Sequence, residues 1–264
     1  MTGPRLLLPH PDVPGGEPLW SAGYREWQPP AALRAGVACF WVSVVPPGSG
    51  PSVTAVLPDG CTDLMWQSGR GGYVAGPDTG PAPVELPAGT VIAGVRFRPG
   101  AGGPMLGLPL RQLRDQRVDL ADCLPRLARM LPPDLPPDAA LDQLYEIAAA
   151  LATDGKPDAA VRYGTRLLGS GQHSVATLSR ELSISERQLR RRFESAAGYG
   201  PKTMQRVLRF RRLTLRLMSD PAGADLARLA SQLGYADQAH LTRETTEFAG
   251  LPPAALARTF LTRH

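Results

Sequence analysis

Hydrophobic positions change period along the chain. Up to about Pro109 they fall in short runs broken by Gly and Pro, among them Val37–Val45, Val53–Leu57, Leu64–Trp66 and Val91–Phe97. Runs of that length, rich in Val and Trp and bounded by turn residues, predict strands. Residues 19–124 are therefore expected to form a β-rich domain, a small barrel or sandwich, behind a Pro- and Gly-rich lead-in over 1–18 that should be poorly ordered. From Arg111 the pattern turns helical, punctuated by Pro132-Pro133 and Pro136-Pro137, which stop helices. Asp138–Ala152 then sets Leu141, Leu144, Tyr145, Ala148 and Leu151 on one helical face. This predicts a helical connector over 125–159, linking two domains or pairing two subunits. Residues 160–264 read as helices with short turns, so the predicted class is α+β, a β-rich half followed by an all-α half.

The helical half holds two similar units. In Ser174–Gly198, Val175, Leu178 and Leu182 make one apolar stripe and Ser183-Ile184 makes a turn. Ser185 follows at an N-cap position with Gln188 three residues on, the spacing of a capping box, and Ile184 and Leu189 are placed as a hydrophobic staple. The second helix buries Leu189 and Phe193 and carries Arg187, Arg190, Arg191 and Arg192 elsewhere. In Asp225–Gly250, Leu226, Leu229 and Leu233 make the first helix and Gly234 ends it. Asp237 is the next N-cap candidate, with Leu241 and Phe248 on the buried side. Helix, tight turn and second helix is the helix-turn-helix plan, whose second helix enters the major groove of DNA by its N-terminal residues.

Arginine and glutamine pair bidentately with base edges. Arg187, Arg190, Arg191, Gln238, Ala239, Thr242 and Arg243 are the candidate base contacts. Arg192 points off that face and joins Lys202, Arg209 and Arg212 as candidate phosphate contacts. Lys202–Met218, a helix of about 25 Å at ~1.5 Å per residue, bridges the units. Charge agrees with this division. Residues 1–156 hold twelve basic and fifteen acidic side chains, and residues 157–264 hold seventeen and nine. A polyanion partner is expected for the C-terminal part alone.

At this point the sequence resembles the AraC/XylS family of bacterial transcription regulators over about residues 160–262. The resemblance rests on Ser185-x-x-x-Leu189-x-Arg191-x-Phe193 with Gly198 and Pro201, and on Leu229-Ala230 with Leu233-Gly234-Tyr235. It rests also on His240-Leu241-x-Arg243, and on Phe248-Ala249-Gly250 with Pro253. It implies two helix-turn-helix units joined by a long helix and reading double-stranded DNA as one asymmetric module. Thr245 and Thr246 stand where the family carries an aromatic and a lysine, and Glu244 and Glu247 add negative charge nearby. A weaker second arm is expected. Leu57–Leu64 and Gly94–Gly100 look like segments of an uncharacterised domain often found ahead of this module. Other family members use a cupin-like barrel there to bind small effectors. The resemblance thus implies sensing or dimerisation, with an unidentified effector, a second subunit and RNA polymerase as further partners.

All four tryptophans lie in the N-terminal half, Trp20, Trp27, Trp41 and Trp66. With a few polar anchors such residues line small-molecule sites. Trp27, Trp41, Trp66, Asp59, Asp63, Arg96 and Arg98 are the candidate effector residues; packing of a small β core is the competing role. Asp59 and Asp63 could instead be an acid–base pair or the start of an oxygen-ligand metal site. No second motif supports catalysis, and no cofactor or metal is expected: HExxH, Gly-x-Ser-x-Gly and Walker-type loops are absent. His10, His173, His240 and His264 fall outside the β-rich region. Cys39, Cys61 and Cys123, three and unpaired in spacing, suggest reduced thiols. No run of 18 apolar residues is present, and a cytoplasmic location without a membrane is expected.

Overall fold

The computed structural model describes residues 5–7, 23–171, 173–220 and 225–261; Trp20, His10, His264 and all of the 1–18 lead-in except Arg5–Leu7 lie outside them. The nine strands among the described residues are, in chain order, β1 (Arg5–Leu7), β2 (Gly23–Trp27), β3 (Val37–Val44), β4 (Ser52–Val56), β5 (Thr62–Gln67), β6 (Gly71–Ala75), β7 (Ala82–Leu86), β8 (Val91–Phe97) and β9 (Arg117–Asp119). They form a six-stranded antiparallel sheet of order β2-β3-β8-β5-β6-β9 and a three-stranded sheet of order β1-β4-β7. No ladder joins the two among the described residues, so the barrel expectation resolves into two facing sheets.

Side chains alternate across a strand, and that alternation gives the large sheet two different faces. Phe40 and Val42 of β3, Leu64 and Trp66 of β5, and Ala93, Val95 and Phe97 of β8 pack into one core. Cys39, Trp41, Met65 and Ile92 from the same strands point the other way, toward Val84 and Leu86 of β7.

The first face is covered by helix. Three short helices, α1 (Gly102–Leu106), α2 (Leu120–Cys123) and α3 (Pro125–Ala128), precede the long α4 (Pro137–Asp154). Ala140, Leu141, Leu144, Ile147 and Ala148 of α4 are buried in the core of the large sheet. Tyr145 stacks on Phe40 with ring centroids 3.8 Å apart, and its hydroxyl accepts from the Trp27 indole. The stretch 125–159 is therefore docked on the β-rich domain rather than standing apart between the halves. Its apolar face is consumed by the β-rich domain, and only the residues between α4 and the next helix link the halves.

The second core is all-helical. It is built by α5 (Ala159–Ser170), α6 (Val175–Glu181), α7 (Glu186–Ala197), α8 (Pro201–Ser219), α9 (Leu226–Leu233), α10 (Gln238–Ala249) and α11 (Pro253–Leu261). Leu178 of α6, Leu189 and Phe193 of α7, Leu233 of α9, and Leu241 and Phe248 of α10 meet around α8, which contributes Met204, Val207, Phe210, Leu213 and Leu217. Leu57 of the β-rich half also enters this core, so the two halves share a packed boundary.

Truncating a fully buried leucine removes its transfer energy and leaves a void. Leu144→Ala is expected to lower the unfolding free energy by about 2–5 kcal/mol, read by urea titration with Trp fluorescence. An unchanged midpoint would return α4 to the status of a connector.

Candidate nucleic-acid interface and candidate cavity

Both units are closed by local chemistry. Ser174 caps α6 by accepting from Thr177 N at 3.1 Å. Ser185 and Gln188 form the full capping box of α7: Gln188 N donates to Ser185 Oγ at 3.2 Å and Ser185 N to Gln188 Oε1 at 3.0 Å. Asp225 caps α9, and Asp237 caps α10 through His240 N at 2.6 Å. Ile184 and Leu189 both pack into the helical core, as a staple requires. The start of each recognition helix is therefore fixed before any ligand arrives.

Arg187, Arg190, Arg191, Gln238, Ala239 and Arg243 are all exposed, and Thr242 is half-buried. The β-rich half covers none of these six exposed residues. Arg190 donates to Glu194 one turn on at 2.6 Å, across an exposed surface where such a pair is readily exchanged for another acceptor.

The phosphate candidates divide. Lys202 is exposed at the first turn of α8. Arg192 turns back to Asp158, the N-cap of α5, at 3.4 Å. Arg209 and Arg212 are half-buried and have partners within the helical domain. Arg212 donates to Ser170 O at 3.0 Å and Leu233 O at 3.2 Å, satisfying the carbonyl ends of α5 and α9. Arg209 donates to Glu244 at 2.7 and 3.0 Å and to Gly234 O at 3.3 Å. Both are tied down because α8 must hold the ends of its neighbours.

Glu244 is turned into the fold. Its carboxylate is 2% exposed and is held by Arg209 and by Arg206 at 2.9 Å, while Arg206 also reaches Glu247 at 2.5 Å. The negative charge is neutralised inside the fold and does not oppose DNA. Thr245 is buried and its hydroxyl donates to Leu241 O at 2.7 Å, filling a core position without an aromatic ring.

A cavity of about 220 Å³ lies between the two sheets. Of the candidate effector residues, Trp41, Asp59, Asp63 and Arg96 line it. Arg96 sits beside both carboxylates: its Nε donates to Asp63 Oδ1 at 3.0 Å and its Nη1 stands 3.9 Å from Asp59. Trp41 Nε1 donates to Asp63 Oδ1 at 2.8 Å. Burial pushes the Asp63 carboxyl up against the pull of Arg96. Asp59 also accepts from Cys61 N at 2.8 Å, the turn role of an aspartate. A guanidinium thus occupies the place a bound cation would need, and both carboxylates are committed. Gly94 belongs to the same arrangement, since a Cβ there would stand 2.5 Å from the Trp41 ring. The Cys39 thiol, in the small core on the same sheet face, is pushed up to about 12 by burial.

Three effector candidates fall elsewhere. Trp66 is buried on the opposite sheet face and donates to Pro132 O at 2.8 Å. Trp27 packs toward α4. Arg98 lies outside the cavity and donates to Arg34 O at 2.8 Å. In their place the cavity gains Tyr24, Met65, Tyr73 and the ion pair of Arg117 with Asp78, both oxygens engaged at 2.7 Å. Met65 was signalled by its parity with Asp63 on β5. The Arg117–Asp78 pair joins separate segments and had no local signal.

Comparison with known proteins gives two separate matches along the chain. Residues 25–119 match the family described as Domain of unknown function (DUF6597). Residues 178–259 match the family described as Helix-turn-helix domain. No curated protein matches the chain. Among solved structures, the chain is similar to ToxT from Vibrio cholerae at 1.65 Å resolution, with 11% identity, 83% of this chain and 98% of that chain covered, and a TM-score of 0.47. It is also similar to unsaturated fatty acid bound wild-type ToxT from Vibrio cholerae, with 13% identity, 83% and 95% covered, and a TM-score of 0.42. At TM-scores below 0.5, the fold rests on the chain's own elements. No helix among the described residues is long and apolar enough to cross a membrane.

The Glu244 site carries a pH signature. Burial pushes its carboxyl up, but hydrogen bonds and charge from Arg209 and Arg206 outweigh this and hold it below the ordinary glutamate range. A folded value below the unfolded one stabilises the fold above the unfolded value, and that stability is lost as pH falls through the lowered one. Glu244→Gln is expected to destabilise the helical domain at neutral pH and to flatten its loss of stability between about pH 5 and 3. Helical circular dichroism during urea unfolding at each pH reads this. Parallel acid losses in both proteins would remove Glu244 as the source.

Proposed function

We propose, from the premise that the C-terminal domain is an AraC-type helix-turn-helix domain behind a domain of unknown function, that the chain is an effector-modulated, sequence-specific transcriptional regulator. The observation that carries this is the pairing of two capped recognition helices on one α8 scaffold, each presenting exposed base-reading side chains near its start. Arg187, Arg190 and Arg191 read bases from α7, and Gln238, Ala239, Thr242 and Arg243 from α10. Lys202, with Arg192 once it leaves Asp158, attracts phosphate. The protein works in the cytosol, is not an enzyme, and acts on RNA polymerase; a second copy of the chain is a further partner.

The cavity is the effector site in this reading. Its arginines already have carboxylate partners: Arg96 with Asp63, Arg117 with Asp78 and Arg70 with Asp119. Trp41, Tyr24, Tyr73 and Met65 supply aromatic and soft apolar surface. Such a site suits a small, uncharged, mostly apolar molecule with one or two hydrogen-bonding groups, and it penalises a net anion.

Two measurements test these assignments. Selection of duplexes from a randomised library, at two salt concentrations, should enrich one asymmetric site; Arg191→Ala should then lose about 1–3 kcal/mol on that site and little on random DNA. Equal losses on both would make Arg191 a phosphate contact, and binding without enrichment would leave only the phosphate attraction. For the cavity, indole is expected to raise the melting temperature more than indole-3-acetate at equal concentration, and Trp41→Ala to abolish the difference. A larger shift with the carboxylate would overturn the uncharged-ligand assignment.

A further inference from the structure

Each recognition helix ends in a left-handed glycine, Gly198 after α7 (φ 81°) and Gly250 after α10 (φ 68°). A proline from one loop of the β-rich domain stands at each. A Cβ on Gly198 would lie 2.5 Å from Pro77 Cγ, and a Cβ on Gly250 would lie 3.5 Å from Pro81 Cγ. Between the two prolines, a Cβ on Gly80 would lie 4.0 Å from the Glu247 carbonyl oxygen. The loop 76–81 joins β6 to β7. It therefore touches both recognition helices at the ends farthest from their base-reading turns.

The loop is built to hold a shape. Asp115 accepts from Thr79 N at 2.6 Å and from Thr79 Oγ1 at 3.0 Å, and its own N–H donates to Pro77 O at 3.2 Å. Gly76 N donates to Gln116 O at 3.0 Å. Asp78 takes both ends of the Arg117 guanidinium. The prolines at either end fix φ and remove backbone freedom.

Helix α8 and the shared core tie the two units along one side and leave the far ends of α7 and α10 to be held from elsewhere. The loop supplies that second tie. We propose that loop 76–81 sets the separation of the two recognition helices, so that residues without any DNA contact decide which spacing between half-sites is bound. This rests on the DNA-reading assignment above. It also gives the cavity a route to the reader, because Gly76, Asp78 and Arg117 line the cavity and form the root of the loop. A ligand that shifts the Arg117–Asp78 pair moves Pro77 and Pro81 together, and with them both helix ends.

The test uses the full chain and the duplex it selects from a random library. Three probes are compared: that duplex, the same duplex with one base pair inserted between the half-sites, and a duplex keeping only the half-site of α7. The variant is Pro77→Ala/Pro81→Ala, which removes both contacting ring carbons. Joined sites gain affinity only when their geometry matches. The variant is expected to bind the native spacing about tenfold more weakly while binding the inserted duplex and the single half-site as the parent does.

Unchanged discrimination between spacings would overturn the proposal. So would an equal loss on all three probes, which would make the loop a support of the fold. A library with no enriched duplex would instead sink the DNA-reading assignment, and the spacing role with it. A second measurement needs no DNA. In a Cys123→Ser background, spin labels at Glu186→Cys and Thr246→Cys should give one narrow distance that broadens in the double-proline variant. An identical distribution in both proteins would also overturn the proposal.

Discussion

The helical domain depends on one constraint: the buried stripe of α8 must serve two helix-turn-helix units at once. Met204, Val207, Phe210, Leu213 and Leu217 are fully buried along its 19 residues, a length of about 28 Å at ~1.5 Å per residue. The apolar stripe alone would let the neighbouring helices slide along the axis, since burial is not directional. Direction comes from the arginines beside it. Arg212 holds the carbonyl ends of α5 and α9, and Arg209 holds Gly234 and the buried Glu244 of α10. Hydrogen bonds to charged donors in a partly dry setting are stronger and more exacting in geometry than surface pairs. The recognition helices are thus placed by polar contacts laid over an apolar core.

The β-rich domain solves a comparable problem by strand parity. Each central strand sends alternate residues to an α4-covered core and to a cavity. In β5, Leu64 and Trp66 go one way while Asp63, Met65 and Gln67 go the other. Because the period is two, no residue can serve both faces. Pairing then sets chemistry across strands: Asp63 lies directly opposite Arg96 on β8, and Cys39 flanks Arg96 from β3. The buried ion pair at the cavity wall is a consequence of register.

This separates what the sequence discloses from what it hides. Caps, staple and apolar spacing are local, so both helix-turn-helix units could be read, down to Ser185 with Gln188 and to Asp237. The α+β division was equally legible, because the hydrophobic period itself changes. The place of Trp66 follows from strand parity alone. Trp66 differs in parity from Asp63 on the same strand, so the two could not share a cavity. The roles of Arg209 and Arg212 were not legible, since an arginine bound for a helix end and one bound for phosphate have the same spacing on α8. Helix α4 shows the same limit. An amphipathic helix announces that it needs an apolar partner, and only tertiary structure says which.

Net charge must be reread in that light. The seventeen basic residues beyond position 156 suggest a strongly polyelectrolyte module. Yet Arg206, Arg209 and Arg212 each have partners within the fold, and Arg206 and Arg209 neutralise a carboxylate that is 2% exposed. Such charges do not release counterions on binding as exposed ones do, so the salt dependence of affinity should be shallower than the residue count implies. In the proposed reading, the weight then shifts to the exposed side chains near the starts of α7 and α10. Two weakly anchored arms of that kind gain most from being held at a fixed separation, because the second contact forms at high effective concentration only when its geometry is already correct. A rigid boundary between the domains is therefore of more use to this reader than additional positive charge would be.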